Sequence, residues 1–375
     1  MRIPRRPRAA GGRVVVVGAG GNIGSHLVPH LARSPGIARV ILVDRETYEP
    51  SNLASQNIAA RHVGRPKARV QARVLRAIRP DLETVALVAP VEDLPLGRLR
   101  ADLILACLDS RRARQHLNQA ALHLGVPWVD AGVSGGAGLA RISLYAPGPG
   151  QPCMQCAWDA RDEAILEEAY PCRPQSPAPA TGASSALGAA AASLQFMACR
   201  TILSGGMQAG GFGRQVVLDT HHHRFVTSRL LRNAACRLED HRPWRLEPAG
   251  GPPGRIRVAD IMERGAGGNG AMASCTLKVE GASFVRRLAC PACGTARLLL
   301  RLSAGPGVRM FRCRQCGRPM AGGGFDHVDR LEWGTLPART RARTLKSLGI
   351  RGGDILTVGR PDTLRHYMVA QEAPE

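Results

Sequence analysis

A doubly wound, mostly parallel α/β sheet with a cysteine-rich C-terminal extension is the fold class that this 375-residue sequence predicts. Three observations predict it. A valine-rich strand runs through a glycine turn into a helix start at "VVVVGAGGNIGSHL". Apolar strand-like runs and helical stretches then alternate for more than a hundred residues. Beyond residue 245 that alternation ends, and two Cys-x-x-Cys pairs follow.

The elements come in order. Residues 13–17 and 39–43 are unbroken apolar runs, as strands buried on both faces of a parallel sheet would be. A helix from Asn22 to Arg33 joins them, giving a Rossmann-like unit. A long loop leads to "KARVQARVLRAI", which has helical periodicity and stops at Pro80. "TVALVA" and "ADLILAC" are further strands, Arg111 to Leu124 is a helix, and "VPWVDAGV" is a strand. "GLARISLYAPG" is expected to add an antiparallel edge. "ALGAAAASLQFMACRTILSGG" is an apolar helix ended by paired glycines. "RQVVLDT" and "HRFVTSRLL" suit a hairpin, whose His221, His222 and His223 suit a solvated turn. These readings set a first domain at residues 1–245 and an extension at 246–375.

The formal net charge is +22. The excess is almost all arginine and is scattered, and aromatic residues make up only 4%. That pattern fits a compositional arginine bias better than a nucleic-acid surface with stacking platforms; an acidic protein partner also fits. No apolar run reaches membrane-spanning length, so no membrane association is expected. The opening "MRIPRRPRAAGG" lacks the apolar stretch of a signal peptide, so the expected compartment is the cytoplasm. In a reducing compartment, eleven cysteines point to metal or catalysis and not to disulfides.

Gly18 and Gly20 fit the start of the dinucleotide pattern G-x-G-x-x-G, but Ile23 holds its sixth position. Gly24 comes one residue late, and Gly21 is extra. Such a loop still lets backbone approach a phosphate at a helix N-terminus. Lys67 is the only lysine before Lys278, in a chain that otherwise writes arginine. A lysine is a compact point charge suited to phosphate.

Six stretches in this order resemble the ThiF/MoeB/ubiquitin-activating-enzyme family: "GAGGNIGS", "ILVDRETYEPSNLASQ", "GRPKA", "ACLDSRRARQHLN", "PCMQC" and "RNAAC". The resemblance covers residues 13 to about 241. It implies an enzyme that uses ATP and Mg²⁺ to adenylate the C-terminal glycine of a ubiquitin-like or sulfur-carrier protein, acting as a homodimer. It implies that Gly18, Gly20, Gly21 and Gly24 form the phosphate loop and that Asp44, with Glu46 nearby, binds ribose. Asn52 and Gln56 would flank the triphosphate, Lys67 would bind phosphate, and Asp109 would hold Mg²⁺. Asp109 also suits an N-cap of the helix after it. Arg114 and Asn118 match family positions and equally suit a helix surface. Ser55 stands where the family writes the arginine of Ser-Asn-Leu-x-Arg-Gln, with Arg61, Arg65 and Arg111 as candidate substitutes. A further arginine, which relatives lend to the partner subunit, would have to come from Arg5, Arg6 or Arg8. Two other readings remain open. One is a nicotinamide oxidoreductase, which Ile23 disfavours. The other is a non-catalytic scaffold, which Ser55 favours.

The cysteines fall into groups. Cys290, Cys293, Cys313 and Cys316 have the spacing of a zinc ribbon. Cys153 and Cys156 are one pair; with Cys236 and His241 they make a candidate Cys₃His zinc site, the alternative being a Cys-x-x-Cys thiol pair. Cys172, in "AYPCRP", lies where relatives carry a thioester cysteine, and also suits a silent loop thiol. Cys107, Cys199 and Cys275 are expected to be core thiols.

Overall fold

Four consecutive valines form the strand from which the first sheet grows in both directions. The computed structural model describes residues 11–159, 161–162, 183–207, 209–238, 241–267, 272–303, 311–323 and 326–371. β1 (Gly12–Val17) lies between β2 (Ile37–Val43) and β4 (Leu103–Ala106) and is parallel to both. β3 (Glu83–Leu87) continues the parallel sheet beside β2, and β5 (Trp128–Ser134) beside β4. Then β6 (Leu139–Tyr145), β7 (Arg214–Asp219) and β8 (Arg224–Arg229) add on antiparallel. The result is a mixed eight-stranded sheet of order β3-β2-β1-β4-β5-β6-β7-β8. β6 is therefore not an edge. The whole outer side of β6 is taken by β7, a pairing that spans some seventy residues and leaves no mark in local sequence.

Among the described residues this unit has the helices α1 (Asn22–Ala32), α2 (Lys67–Ile78), α3 (Arg111–Leu124) and α4 (Ser185–Leu203). α3 is bounded by its own chemistry. Ser110 Oγ accepts the Ala113 N–H at 3.3 Å, and Gly125 ends the helix in the left-handed region at φ 70°. The serine, not Asp109, is the cap.

α4 corrects one expectation. It is long and apolar enough to cross a membrane by length and composition. Here its Leu187, Ala191, Ala192, Ala198 and Cys199 enter the core formed with Val14, Val16, Leu103 and Leu105. Gln195 Nε2, fully buried, donates to the carbonyls of Ala106 at 3.0 Å and Val129 at 2.9 Å.

The chain divides into two compact units. The first runs to Val91 and resumes over Leu99–Pro243; the second comprises Glu92–Arg98 and Trp244 onward. In the second unit, β9 (Leu246–Pro248), β10 (Thr276–Val279), β14 (Arg330–Glu332), β15 (Ile355–Arg360) and β16 (Thr363–Met368) form a five-stranded sheet of order β14-β10-β15-β16-β9. α5 (Val258–Ala266) buries Val258, Ile261 and Met262 in its core. A short helix, α6 (Ala338–Arg341), follows β14. A second sheet, β12-β11-β13, pairs β11 (Phe284–Ala289) with β12 (Ala296–Leu302) and β13 (His327–Val328) and carries the cysteine ribbon. The Glu92–Arg98 segment is held by Arg351, which donates to the Asp93 carbonyl at 3.0 Å.

Candidate nucleotide site and metal centres

The strand order reverses between β1 and β4, where open α/β sheets bind ligands beyond the strands' carboxyl ends. The glycine loop fills that position. Gly18 has φ +78°, and a Cβ there would fall 2.3 Å from the Cys107 carbonyl oxygen. At Gly24 a Cβ would fall 2.2 Å from the Gly18 carbonyl oxygen, so only glycine lets α1 rest on the loop. Gly21 is the N-cap of α1 and offers no side chain to its first amides, and no acidic residue occupies the first turn. Those amides suit an anion.

Lys67 lies against this loop; the Cβ position of Gly20 is 2.3 Å from Lys67 Cβ. Its side chain is 3% exposed, and its ammonium meets Glu46 Oε2 at 2.7 Å. The ammonium also sits 5.4 Å from the centroid of the Tyr48 ring. The buried Tyr48 hydroxyl accepts from Gln71 Nε2 at 2.7 Å, and burial pushes the phenol's pKa well above its ordinary value. Asp44 follows β2 directly. Its Oδ2 accepts the Gly20 N–H at 2.8 Å and its Oδ1 the Glu46 N–H at 3.0 Å. Burial raises its pKa, against the pull of those amides and of Lys67. The loop, Asp44, Glu46 and Lys67 are thus brought together by direct contacts.

Asn52 lies in a 3₁₀ turn, Pro50–Ala54, where its Oδ1 accepts the Glu49 N–H at 3.0 Å. Gln56 Oε1 is buried with no hydrogen-bond partner among the described residues, and so is Asn22 Oδ1. Asn22 Oδ1 is packed against Gly188 of α4, whereas the Gln56 acceptor fits a ligand that brings donors, as a nucleoside does. Asp109 follows β4 and is exposed, with no hydrogen bond or ion pair among the described residues. Arg111 is engaged by Asp162.

Arg114 and Asn118 are not helix-surface residues. Arg114 Nε pairs with Asp130 Oδ1 at 3.0 Å, while Arg141 Nη2 holds Asp130 Oδ2 at 3.1 Å. The buried Asn118 donates to Gln155 Oε1 at 3.2 Å and accepts the Met154 N–H at 3.1 Å. Asp130, 1% exposed, is a carboxylate that the sequence reading missed. Its signal was an acid inside the apolar strand "VPWVDAGV".

Both cysteine sets converge. The ligand atoms of Cys153, Cys156, Cys236 and His241 lie within 4.8 Å of one another, as do those of Cys290, Cys293, Cys313 and Cys316. In the first set the sulfurs of Cys153 and Cys156 are 3.9 Å apart, those of Cys153 and Cys236 3.7 Å, and Cys156 Sγ is 3.8 Å from His241 Nε2. Tetrahedral zinc with Zn–S bonds of about 2.3 Å sets sulfur pairs about 3.8 Å apart. His241 Nδ1 hydrogen-bonds the Gln151 carbonyl at 2.7 Å, which turns Nε2 toward the thiols. In the second set the contacts are 3.4 Å for Cys290–Cys316 and 3.5 Å for Cys293–Cys313. Both donor sets fit Zn²⁺.

The remaining thiols and histidines divide by burial. Cys199 and Cys275 are buried. Cys107 is half-buried, donates to Gln195 Oε1 at 3.3 Å, and is driven upward in pKa by desolvation. In the β7–β8 turn, His222 pairs with Asp219 at 2.9 Å and all three histidines are exposed. Cys172 and Arg5, Arg6 and Arg8 lie outside the described residues.

Residues 7–238 match the ThiF family. The chain belongs to that family. It is 30% identical over 230 residues to the molybdopterin-synthase adenylyltransferase of Escherichia coli K12, covering 60% of this chain and 86% of that one. It is 30% identical over 154 residues to the E. coli K12 sulfur carrier protein ThiS adenylyltransferase, covering 40% of this chain and 60% of that one. Against the ubiquitin-like modifier-activating enzyme 5 of Dictyostelium discoideum, identity is 32% over 158 residues, or 38% of this chain and 40% of that one. The chain thus spans well under two thirds of several relatives it matches. Among solved structures, E. coli MccB with AMPCPP and SeMet MccA aligns at a TM-score of 0.49 and 20% identity, covering 61% of this chain and 66% of that one.

Proposed function

We propose that this chain is an adenylyltransferase that uses ATP to activate the C-terminal glycine carboxylate of a ubiquitin-like or sulfur-carrier protein. The observation that carries the reading is Lys67, a lysine buried against a glycine loop at the sheet's switch point. The substrate carboxylate attacks the α-phosphorus, the bond to the β-phosphate breaks, and pyrophosphate leaves with the electron pair. Such a reaction asks the protein to position groups and neutralise charge. In this reading the Gly18–Gly21 loop and the α1 amides cradle phosphate, Lys67 supplies positive charge, and Asp44 accepts from ribose hydroxyls. Asn52 and Gln56 flank the triphosphate once Asn52 leaves its turn. Asp109 would hold Mg²⁺, which supplies further charge neutralisation when bound. Membership of the ThiF family over residues 7–238 supports the adenylyltransferase reading as a whole.

The same reading takes residues 1–245 as a doubly wound, Rossmann-like adenylation domain and 246–375 as an appended one. It takes the protein as a cytoplasmic homodimer with zinc in both cysteine sets. Cys172 is the proposed thiol for acyl capture, its thiolate displacing AMP from the acyl-adenylate. The test is carrier-dependent exchange of labelled pyrophosphate into ATP. Exchange that appears only with a carrier ending in glycine supports the proposal. ATP binding without exchange over a panel of such carriers would assign the chain to a scaffold role.

A further inference from the structure

Alongside α2 lies an open cavity of about 370 Å³. Its polar lining is Arg61, His62, Arg65 and Arg73, and its floor is Val70, Val74 and Ala77. No acidic side chain lines it. Val70, Arg73, Val74 and Ala77 follow the i, i+3, i+4, i+7 spacing of one helix face. The other polar groups come from the 3₁₀ turn Ala60–His62 and the residues that follow it. Among the described residues, none of the three arginines pairs with a carboxylate. Arg65 spends its Nε on the Arg61 carbonyl at 3.2 Å, and the guanidinium tips stay free. His62 Nδ1 accepts the Ala59 N–H at 3.2 Å, which places the neutral ring's proton on Nε2. Every side chain that can hydrogen-bond into this cavity is therefore a donor.

The geometry points to a second anion site here, lined by no residue of the glycine loop, that takes a phosphate group carried on a small organic molecule or present as inorganic diphosphate. Three guanidinium forks and an imidazole N–H exceed what one carboxylate can accept, but they match the several peripheral oxygens of a phosphate. Three cations around one cavity without a counter-charge repel one another, and a bound anion removes that penalty. His62 senses them: burial first, then the charges of Arg61, Arg65 and Arg73, hold its pKa below the ordinary value. The apolar floor gives an organic portion something to cover, and the volume exceeds that of a lone phosphate.

The experiment follows the His62 ring resonances of the full-length chain by NMR, assigned with His62→Gln, during titration at constant ionic strength. The probes are inorganic diphosphate and phenyl phosphate. Saturable shifts are expected. Affinity should fall about tenfold in the Arg61→Gln/Arg73→Gln double variant and hold in Arg69→Gln, whose exposed arginine lies on α2 outside the lining. Tighter binding of phenyl phosphate identifies an organic ligand; tighter binding of diphosphate identifies the inorganic one. No saturable shift in folded protein overturns the site. So does a loss in Arg69→Gln equal to that in the double variant, because the effect would then be general charge. Should the double variant fail to fold, Arg73→Lys must bind better than Arg73→Gln for the proposal to stand.

Discussion

The ammonium of Lys67 and the carboxylate of Glu46 meet at 2.7 Å, with the lysine enclosed and the glutamate half in solvent. Lys67 also donates its backbone N–H to the Glu46 carbonyl at 2.8 Å, so the two residues are clasped twice. The cation is therefore held in place before any ligand arrives, and Glu46 can swing outward when phosphate competes for it.

Removing that cation is expected to weaken ATP binding. Lys67→Ala should cost about 10- to 100-fold in ATP affinity by calorimetry, the range of a lost charge-assisted hydrogen bond. Lys67→Arg should not restore it, because the Gly20 backbone leaves no width for a guanidinium. Full rescue by arginine would contradict the enclosed geometry.

Asp109→Ala is expected to leave folding unchanged, since Ser110 caps α3 and Asp109 has no partner among the described residues. Pyrophosphate exchange should drop by about 10²–10³ or more. A fall in melting temperature as large as that of Ser110→Ala would show that the carboxylate supports structure instead.

The Asp130 cluster makes the opposite prediction. Asp130→Ala leaves Arg114 and Arg141 facing each other without a counter-ion. The expected loss is about 3 kcal/mol in a denaturant titration, at the low end of the range for broken buried pairs because Arg141 is partly solvated. A stability change near zero would show that solvent satisfies both arginines.

Elemental analysis should find two Zn²⁺ per chain, one for each converging set. Cys236→Ser should remove one equivalent and Cys313→Ser the other, and a chelator should lower the melting temperature. A count that stays at two after Cys236→Ser would take that cysteine out of the first set.

Cys172→Ala is expected to retain exchange while losing any thiol-sensitive adduct with the carrier, read by mass spectrometry of the trapped species. An adduct mapped to another cysteine would move acyl capture elsewhere and leave adenylation untouched.

Local chemistry explains which features could be read from sequence. The end of α3 was legible because Leu124 precedes a glycine, whereas at its start two adjacent capping residues, Asp109 and Ser110, left the cap itself ambiguous. The parallel strands were legible because burial on both faces leaves an unbroken apolar run, as in Val14–Val17. β9 and β14 span three residues each and take their partners from far along the chain, so no window around them carries a period. Within the site, glycine spacing and a solitary lysine marked Gly18–Gly24 and Lys67. Asp130 went unseen because its meaning lies in Arg114, brought to it by the packing of α3, and in Arg141, brought by the pairing of β6 with β5.

Gln195 fixes a mechanical relation. One side-chain amide fastens the carbonyl of Ala106, which ends β4 just before Asp109, to that of Val129, near the start of β5 and next to Asp130. The gap between those strands is therefore bridged from α4. A change at Gln195 is therefore expected to be felt on both strands together, ahead of Asp109 on one and beside Asp130 on the other.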